Sequence, residues 1–358
     1  MNAQVTQIDF TGQNIYAGFD VHLKSWKVTI MAESSVYKTF TQPPKPEILY
    51  NYLRRNFPGG TYHTAYEAGY CGYWIHYKLT SYGVNSMVVN PADIPTTYKE
   101  RVQKEDKRDS RKIARSLSSG ELTPIYIPSI QTQEDRTLLR TRAMLIKDLT
   151  RIKHRIKSFL YYYGFSVEEV FPQSQSHWSN RFISWLDGLE LSGESGKQSL
   201  QALIDEFKHL RISTLAITRQ IRHLSQTDTY NGRVELLRTV PGVGLITAMT
   251  FLTELETINR FSSLDKLCSY IGLVPSTRSS GDKEKTGDIT PRGHDTLRTA
   301  LIESSWIAIR NDPSLMKSFL SYQSRMEPNK AIIRIAKKLL SRIRFVLQND
   351  EPYKTMIP

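Results

Sequence analysis

Four carboxylates and two neighbouring serines are the residues of this chain whose types and spacing could act on a phosphodiester. Asp20 closes a strand-like segment in GFDVH and Glu67 closes another in YEAGYCG. Asp106 and Asp109 follow in KEDKRDSRKIARSL, three residues apart, so that a helix starting nearby puts both on one face. Hard oxygen donors from three separate elements suit magnesium, and two such ions about 4 Å apart can steady the attacking and leaving oxygens of a phosphoryl transfer. Each signal alone has a plainer reading, because an aspartate after a strand is often a turn former and a mixed charge run is usually a solvated helix face. His22 and Lys24 follow Asp20 closely enough to touch phosphate or water, and a structural role for His22 at the strand end is an equal reading. Glu100 and Glu105 fall off the face shared by Asp106 and Asp109 and read as solvated charges.

The serines lie in YIGLVPSTRSSGDKEKTGDITPRGHDTLR, where Ser279 and Ser280 precede Gly281 amid Arg278, Lys283, Lys285, Arg292 and Arg298. A serine among cations can attack phosphorus if a base or metal activates it, although a Ser-Ser-Gly triplet by itself is in most chains only a loop. Upstream, RTVPGVGLITA sets two glycines beside a proline before an apolar helix. Such a turn either offers backbone amides to a phosphate, as in helix-hairpin-helix elements, or simply joins two helices tightly.

The elements that must position these groups are of two kinds. Residues 15–19, 26–31 and 36–40 are short apolar and β-branched runs that predict an antiparallel meander; a helix near 48–55, a strand at 62–66, a helix at 73–82 and a buried strand at 84–89 follow. Together they predict a mixed five-stranded sheet. An aspartate on the first strand, a glutamate on the fourth and two aspartates on a helix after the fifth match the ribonuclease H-like order of RuvC-type nucleases.

From Leu138 the period changes. Leu138, Leu145, Leu149, Ile152, Ile156 and Phe159 form a heptad seam broken by Arg142, and Leu200, Leu203, Phe207, Leu210, Thr214, Ile217, Ile221 and Leu224 form a second. These predict either an extended coiled coil supporting an oligomer or a helical hairpin within one domain. The last third reads as mostly helical around a Gly-, Ser- and Thr-rich loop from 275 to 293.

Lys and Arg number 48 against 35 Asp and Glu, a balance of +13 that favours a polyanionic partner, with nucleic acid first. Eight Lys or Arg oppose one acid, Asp148, between Arg136 and Lys157; Lys330, Arg334, Lys337, Lys338, Arg342 and Arg344 meet none up to Phe345. Cys71 and Cys268 are too few for a disulfide framework and fit a reducing cytoplasm. Neither a signal peptide nor a membrane-spanning run is legible, which predicts a soluble protein without a membrane partner.

Five pieces in order, GFDVHLKSW, YEAGYCGYWIHYKL, VVNPADI with KEDKRDSRKIA, LLRTVPGVGLITAMTFLTEL, and SYIGLVPSTRSSG running to GDITPRGHDTLR, resemble the DEDD-type insertion-sequence transposases of the Piv/MooV group, the IS one-ten family. The resemblance spans nearly the whole chain. It implies a RuvC-like (ribonuclease H-like) α/β domain over 1–130, a coiled-coil linker over 131–230 and a mainly helical C-terminal transposase domain over 231–358. It further implies a bacterial cytoplasmic DNA recombinase, oligomeric as a dimer or tetramer. In that family a bridge RNA, a structured noncoding RNA, pairs with donor and target DNA to choose the sites. Carried over residue by residue, the Mg2+-binding tetrad falls on Asp20, Glu67, Asp106 and Asp109, and the nucleophile forming a phosphoserine link falls on Ser280, with Ser279 as runner-up. Arg278, Lys283, Lys285, Arg292 and Arg298 would then contact nucleic acid. Two departures stand out: Pro291 and Arg292 replace the lysine usual in an ITKxG stretch, and Glu105 stands where a small polar residue is common. Two rival readings remain, a junction-resolving nuclease using metal-activated water and a non-enzymatic nucleic-acid-binding scaffold. No GxxxxGK[ST] nucleotide-binding loop is present.

Overall fold

The computed structural model describes residues 9–33, 35–95, 106–173, 177–280, 283–290 and 292–354, with the side chains of 106–107 and 276–288 outside the description. Glu100, Glu105 and Pro291 therefore lie outside the described residues. The chain divides into two compact units, Met1–Ile127 and Pro128–Pro358, each described by itself.

In the first unit, strands β1 (Asn14–Val21), β2 (Trp26–Ala32), β3 (Ser35–Gln42), β4 (Thr61–Glu67) and β5 (Asn85–Val89) form one sheet in the order β3-β2-β1-β4-β5. The meander β1-β2-β3 is antiparallel, while β4 and β5 join it in parallel. The expected mixed five-stranded sheet is thus present. Alternation along β1 sends Ile15, Ala17 and Phe19 to one face. There they pack with Leu49 and Leu53 of helix α1 (Pro46–Asn56) and Ile75 and Leu79 of α2 (Trp74–Ser81), all fully buried. The opposite face carries Tyr16, Ala65 and Val89 against Ile113 and Leu117 of α3 (Asp106–Ser118).

The second unit begins with α4 (Ile130–Tyr162), 33 residues long, which pairs with α7 (Glu194–Leu224), 31 residues long. At 1.5 Å per residue each spans about 50 Å. They run antiparallel within the chain, as Arg142 donating to Thr218 at 2.9 Å and Lys153 lying 6.0 Å from the Phe207 ring both require. The two heptad helices thus pair with each other within the chain. The far end of the pair is filled by α5 (Val167–Val170) and α6 (Asn180–Asp187) around Ile152, Ile156, Leu160, Phe182, Ile204 and Phe207.

A third core is built by α8 (Asn231–Arg238), α9 (Leu245–Leu255), α10 (Leu264–Ile271), α11 (Asp295–Asn311), α12 (Pro313–Gln323) and α13 (Pro328–Asn349), joined by Leu139 of α4 and Ile221 of α7. The mostly helical expectation needs one correction. The Gly- and Ser-rich segment after Pro275 contains two antiparallel strands, β6 (Pro275–Ser280) and β7 (Lys283–Ile289), whose backbones pair with each other, so the segment is a β-hairpin. Among the described residues no helix is long and apolar enough to cross a membrane.

Candidate active site

The sheet's register decides where the first two carboxylates meet. In the parallel pairing of β1 with β4, Gly18 stands beside Ala65 and Phe19 beside Tyr66, so Asp20 and Glu67 follow one step further on adjacent strands. Residues level with each other on parallel strands point the same way. Asp20 shares the parity of Tyr16 and Gly18, and Glu67 that of Ala65, which assigns both acids to the face covered by α3.

Gly18 makes that cover possible. A Cβ built there would lie 2.1 Å from the Ala114 amide nitrogen and 2.7 Å from the Ser110 carbonyl, so only glycine lets the helix settle so deeply. Buried Ser110 and Thr29 pair their hydroxyls at 3.0 Å beside the same contact. Further along α3, the Ser118 hydroxyl reaches the Met31 sulfur at 3.8 Å, and Met31 is level with Tyr16. The helix therefore runs antiparallel to β1. Its first turn, Asp106 to Asp109, lies beyond Gly18 in the direction of Asp20, since one helical turn rises about 5.4 Å and two strand residues about 6.6 Å.

Among the described side chains, Asp20 is 21% exposed and its Oδ2 lies 3.1 Å from His22 Nε2. His22, 49% exposed, thus stands against Asp20 at the strand end. Asp109 is 20% exposed with Lys112 Nζ 3.5 Å away. Among the described residues, no three Asp, Glu, His or Cys side chains stand close enough together to hold a metal ion, and the side chain of Asp106 lies outside the description.

The serines occupy the tip of the β6–β7 hairpin in the second unit. Backbone register pairs Ser280 with Lys283, Ser279 with Glu284 and Arg278 with Lys285. Ser280 and Arg278 are thus of one parity and Ser279 of the other. The base of the hairpin is tied down: Thr290 N donates to the Val274 carbonyl at 3.1 Å and Arg298 Nη1 donates to the Thr290 carbonyl at 3.3 Å. Arg298 also pairs with Asp295 at 3.0 Å and is 15% exposed, so its fork is used within the chain. Arg292 is exposed.

Sequence reasoning passed over the buried group beside this base. Glu254, 1% exposed at the end of α9, accepts from Arg140 Nε at 2.8 Å and Nη2 at 2.9 Å, stands 3.1 Å from Arg136 Nε, and meets His294 Nε2 at 3.1 Å. Burial pushes its carboxyl upward, but the His294 hydrogen bond and the Arg140 charge overcome this and hold it at about 2. The Leu297 amide donates to His294 Nδ1 at 3.4 Å, so the imidazole caps α11 and presents Nε2–H to the carboxylate. The cluster ties the root of α4 to the start of the helix that follows the hairpin. A lone acid in the apolar run LITAMTFLTEL was the signal available to find it.

In the PGVG turn Gly242 serves packing, whereas Gly244 is exposed at the start of α9. Gly242 has φ +84 and a Cβ there would lie 2.2 Å from the Ser304 carbonyl, so the turn is pressed onto α11. The basic stripes are also partly engaged. Arg136 and Arg140 hold Glu254, Lys337 bridges Asp265 at 2.9 Å, Lys338 donates to Ser318 at 3.1 Å, and Arg342 pairs with buried Asp312.

Residues 17–164 match the family model of the DEDD transposases of IS110, and residues 234–321 match that described as the transposase IS116/IS110/IS902 family. A transposase-named protein of Sinorhizobium fredii is 32% identical over 241 residues, covering 67% of this chain and 57% of the relative. The transposase for insertion sequence element IS1111A of Coxiella burnetii is 26% identical over 295 residues, covering 79% and 78%. The pilin gene-inverting protein of Moraxella bovis is 30% identical over 157 residues, covering 43% and 49%. The matched segment thus spans little more than half the length of the Sinorhizobium relative.

Proposed function

We propose that this chain, which belongs to the IS116/IS110/IS902 family of transposases, cuts and rejoins DNA as an oligomer through a serine-linked intermediate, at sites chosen by a bridge RNA. The observation that carries the reading is the placement of Asp20 and Glu67 side by side at the carboxyl end of parallel strands, on the face where α3 begins with Asp106 and Asp109. Carboxylate oxygens are the donors a hard divalent ion prefers, so Asp20, Glu67, Asp106 and Asp109 fit magnesium by their chemistry. Such an ion, when bound, supplies positive charge at the scissile phosphate.

Ser280 is the nucleophile in this reading. Its oxygen bonds to phosphorus as the bond from phosphorus to one sugar oxygen breaks, and the released strand keeps that oxygen as a hydroxyl. The phosphoserine ester conserves the bond energy, so attack by a second strand's hydroxyl rejoins DNA and frees the serine without an energy cofactor. Register favours Ser280 over Ser279, because it pairs with Lys283 and shares parity with Arg278, whereas Ser279 pairs with Glu284. Cations beside the attacking oxygen stabilise a phosphorane; a carboxylate opposes it.

The test is a denaturant-resistant adduct between the protein and labelled donor DNA. Ser280→Ala abolishes it and Ser279→Ala retains it; the reverse moves the nucleophile by one residue, and an adduct in both variants moves it elsewhere. Asp20→Ala abolishes recombination while circular dichroism remains unchanged, and unimpaired activity would favour a scaffold. Sequencing RNA that copurifies with the protein returns one structured species; random cellular RNA would remove the guide from the proposal.

A further inference from the structure

The far end of the long helical hairpin carries an aromatic tip that neither the carboxylates nor the serine hairpin uses. Tyr161 and Tyr162 are 87% and 82% exposed at the end of α4, and Tyr163 follows as the helix cap. Tyr163 is braced by Phe159 and Tyr162, with ring centroids 4.7 and 5.1 Å away. Single exposed aromatics are ordinary, but three in succession on a basic helix form a patch that water solvates poorly. Beside them lies a cavity of about 530 Å³ lined by Lys157, Ser158, Tyr161, Phe165, Ser166 and Glu168. Exposed Lys147, Arg151, His154 and Ser158 lead to Tyr161 at helical spacings of three and four; of these Lys147 and Arg151 are cationic, Arg151 being paired with Asp148, and Lys157 stands at the cavity itself.

A ring face, a cation and acceptor oxygens around one hollow match one ligand chemistry. An unpaired base stacks on an aromatic ring, its phosphate meets a lysine, and its amino edge or a ribose hydroxyl donates to a carboxylate or serine. Paired bases stack on each other and present no ring face, which excludes a duplex from the hollow. Glu168 accepts but does not donate, and a 2′-hydroxyl is the donor that a deoxyribose lacks.

We infer that the cavity beside Tyr161 binds an unpaired nucleotide of RNA, with Tyr161 stacking on the base, Lys157 at the phosphate, and Glu168 accepting from the base or the 2′-hydroxyl. This rests on the nucleic-acid reading given above, and its test involves no DNA cleavage, so the two fail separately.

Fluorescence anisotropy of the full chain with a short labelled RNA lacking self-complementarity provides the measurement. Tyr161→Ala weakens binding at least about fivefold, the lower end for loss of one stacked base, while Tyr161→Phe binds as the unaltered chain does. A duplex RNA of equal length shows no difference between the three proteins. With side chains this exposed, the variants keep their helical circular dichroism. Equal affinity of Tyr161→Ala and the unaltered chain overturns the inference, as does a Phe variant as weak as Ala. A single-stranded DNA bound as tightly as the RNA overturns the inference of an RNA nucleotide. If Tyr161→Ala changes the sedimenting mass and leaves RNA affinity alone, the tip is a self-association surface and the inference is overturned.

Discussion

Replacing Glu254 by Gln removes one negative charge from a site that two arginines and a histidine were folded to meet. The carboxyl is held at about 2 against an ordinary 4.5, and its side chain is 1% exposed. At about 1.4 kcal/mol for each tenfold, that difference makes the ionised form worth about 3 kcal/mol to the folded state at neutral pH. The same size follows from leaving a buried ion pair without its partner, about 3 to 5 kcal/mol. The sign is that of a depressed acid: the stabilisation is complete above the unfolded value near 4.5 and disappears as pH falls towards 2. Glu254→Gln therefore unfolds at lower urea than the unaltered chain at pH 7, by an equivalent of about 3 kcal/mol, and the gap shrinks to about half that by pH 3. Far-UV circular dichroism reads the transition, and hydrogen exchange in α9 and α11 localises it. A deficit below about 1 kcal/mol at pH 7, or a deficit unchanged at pH 3, refutes the reasoning, because either means the charge is not what the cluster was built around.

Other perturbations follow from the same contacts. Gly18→Val drives a side chain into the Ala114 and Ser110 backbone, which cannot withdraw without lifting α3, and costs about 3 kcal/mol as read by a fall in Tm. Asp312→Ala removes the buried cap that Leu315 N meets at 3.0 Å and the Tyr353 hydroxyl meets at 3.0 Å, and strands Arg342, for a loss of about 3 kcal/mol in chemical unfolding. Arg142→Leu fills the α4–α7 seam with an apolar side chain, while Thr218 keeps its bond to the Thr214 carbonyl at 2.7 Å; stability is equal or higher by about 1 kcal/mol in the same assay. DNA or RNA affinity falls steeply from low to physiological salt, and a flat dependence would remove the basic track of α4 from binding.

Period and residue type carried much of this molecule. Alternation in 15–19 and 26–31 reflects sterics and burial of neighbours within a few residues, so β1 and β2 were legible, as were the heptads of α4 and α7. The acids at the ends of β1 and β4 were visible for the same reason. The hairpin at Pro275–Ile289 was not, because Ser, Thr, Gly and Lys suit a loop as well as an edge strand until a partner strand is supplied. The basic run on α13 looked available for nucleic acid, yet Lys337, Lys338 and Arg342 are engaged with Asp265, Ser318 and Asp312.

Only the tertiary structure made Asp20 and Glu67 neighbours, because that depends on β4 pairing in parallel with β1 and on Gly18 admitting α3. It alone found the partners of Glu254, which stand 114 residues away on α4 and 40 residues away at His294. Local patterns report what each residue does to its immediate neighbours. Which distant surfaces meet is decided by how the whole chain buries its apolar area, and that sum is written in no single segment.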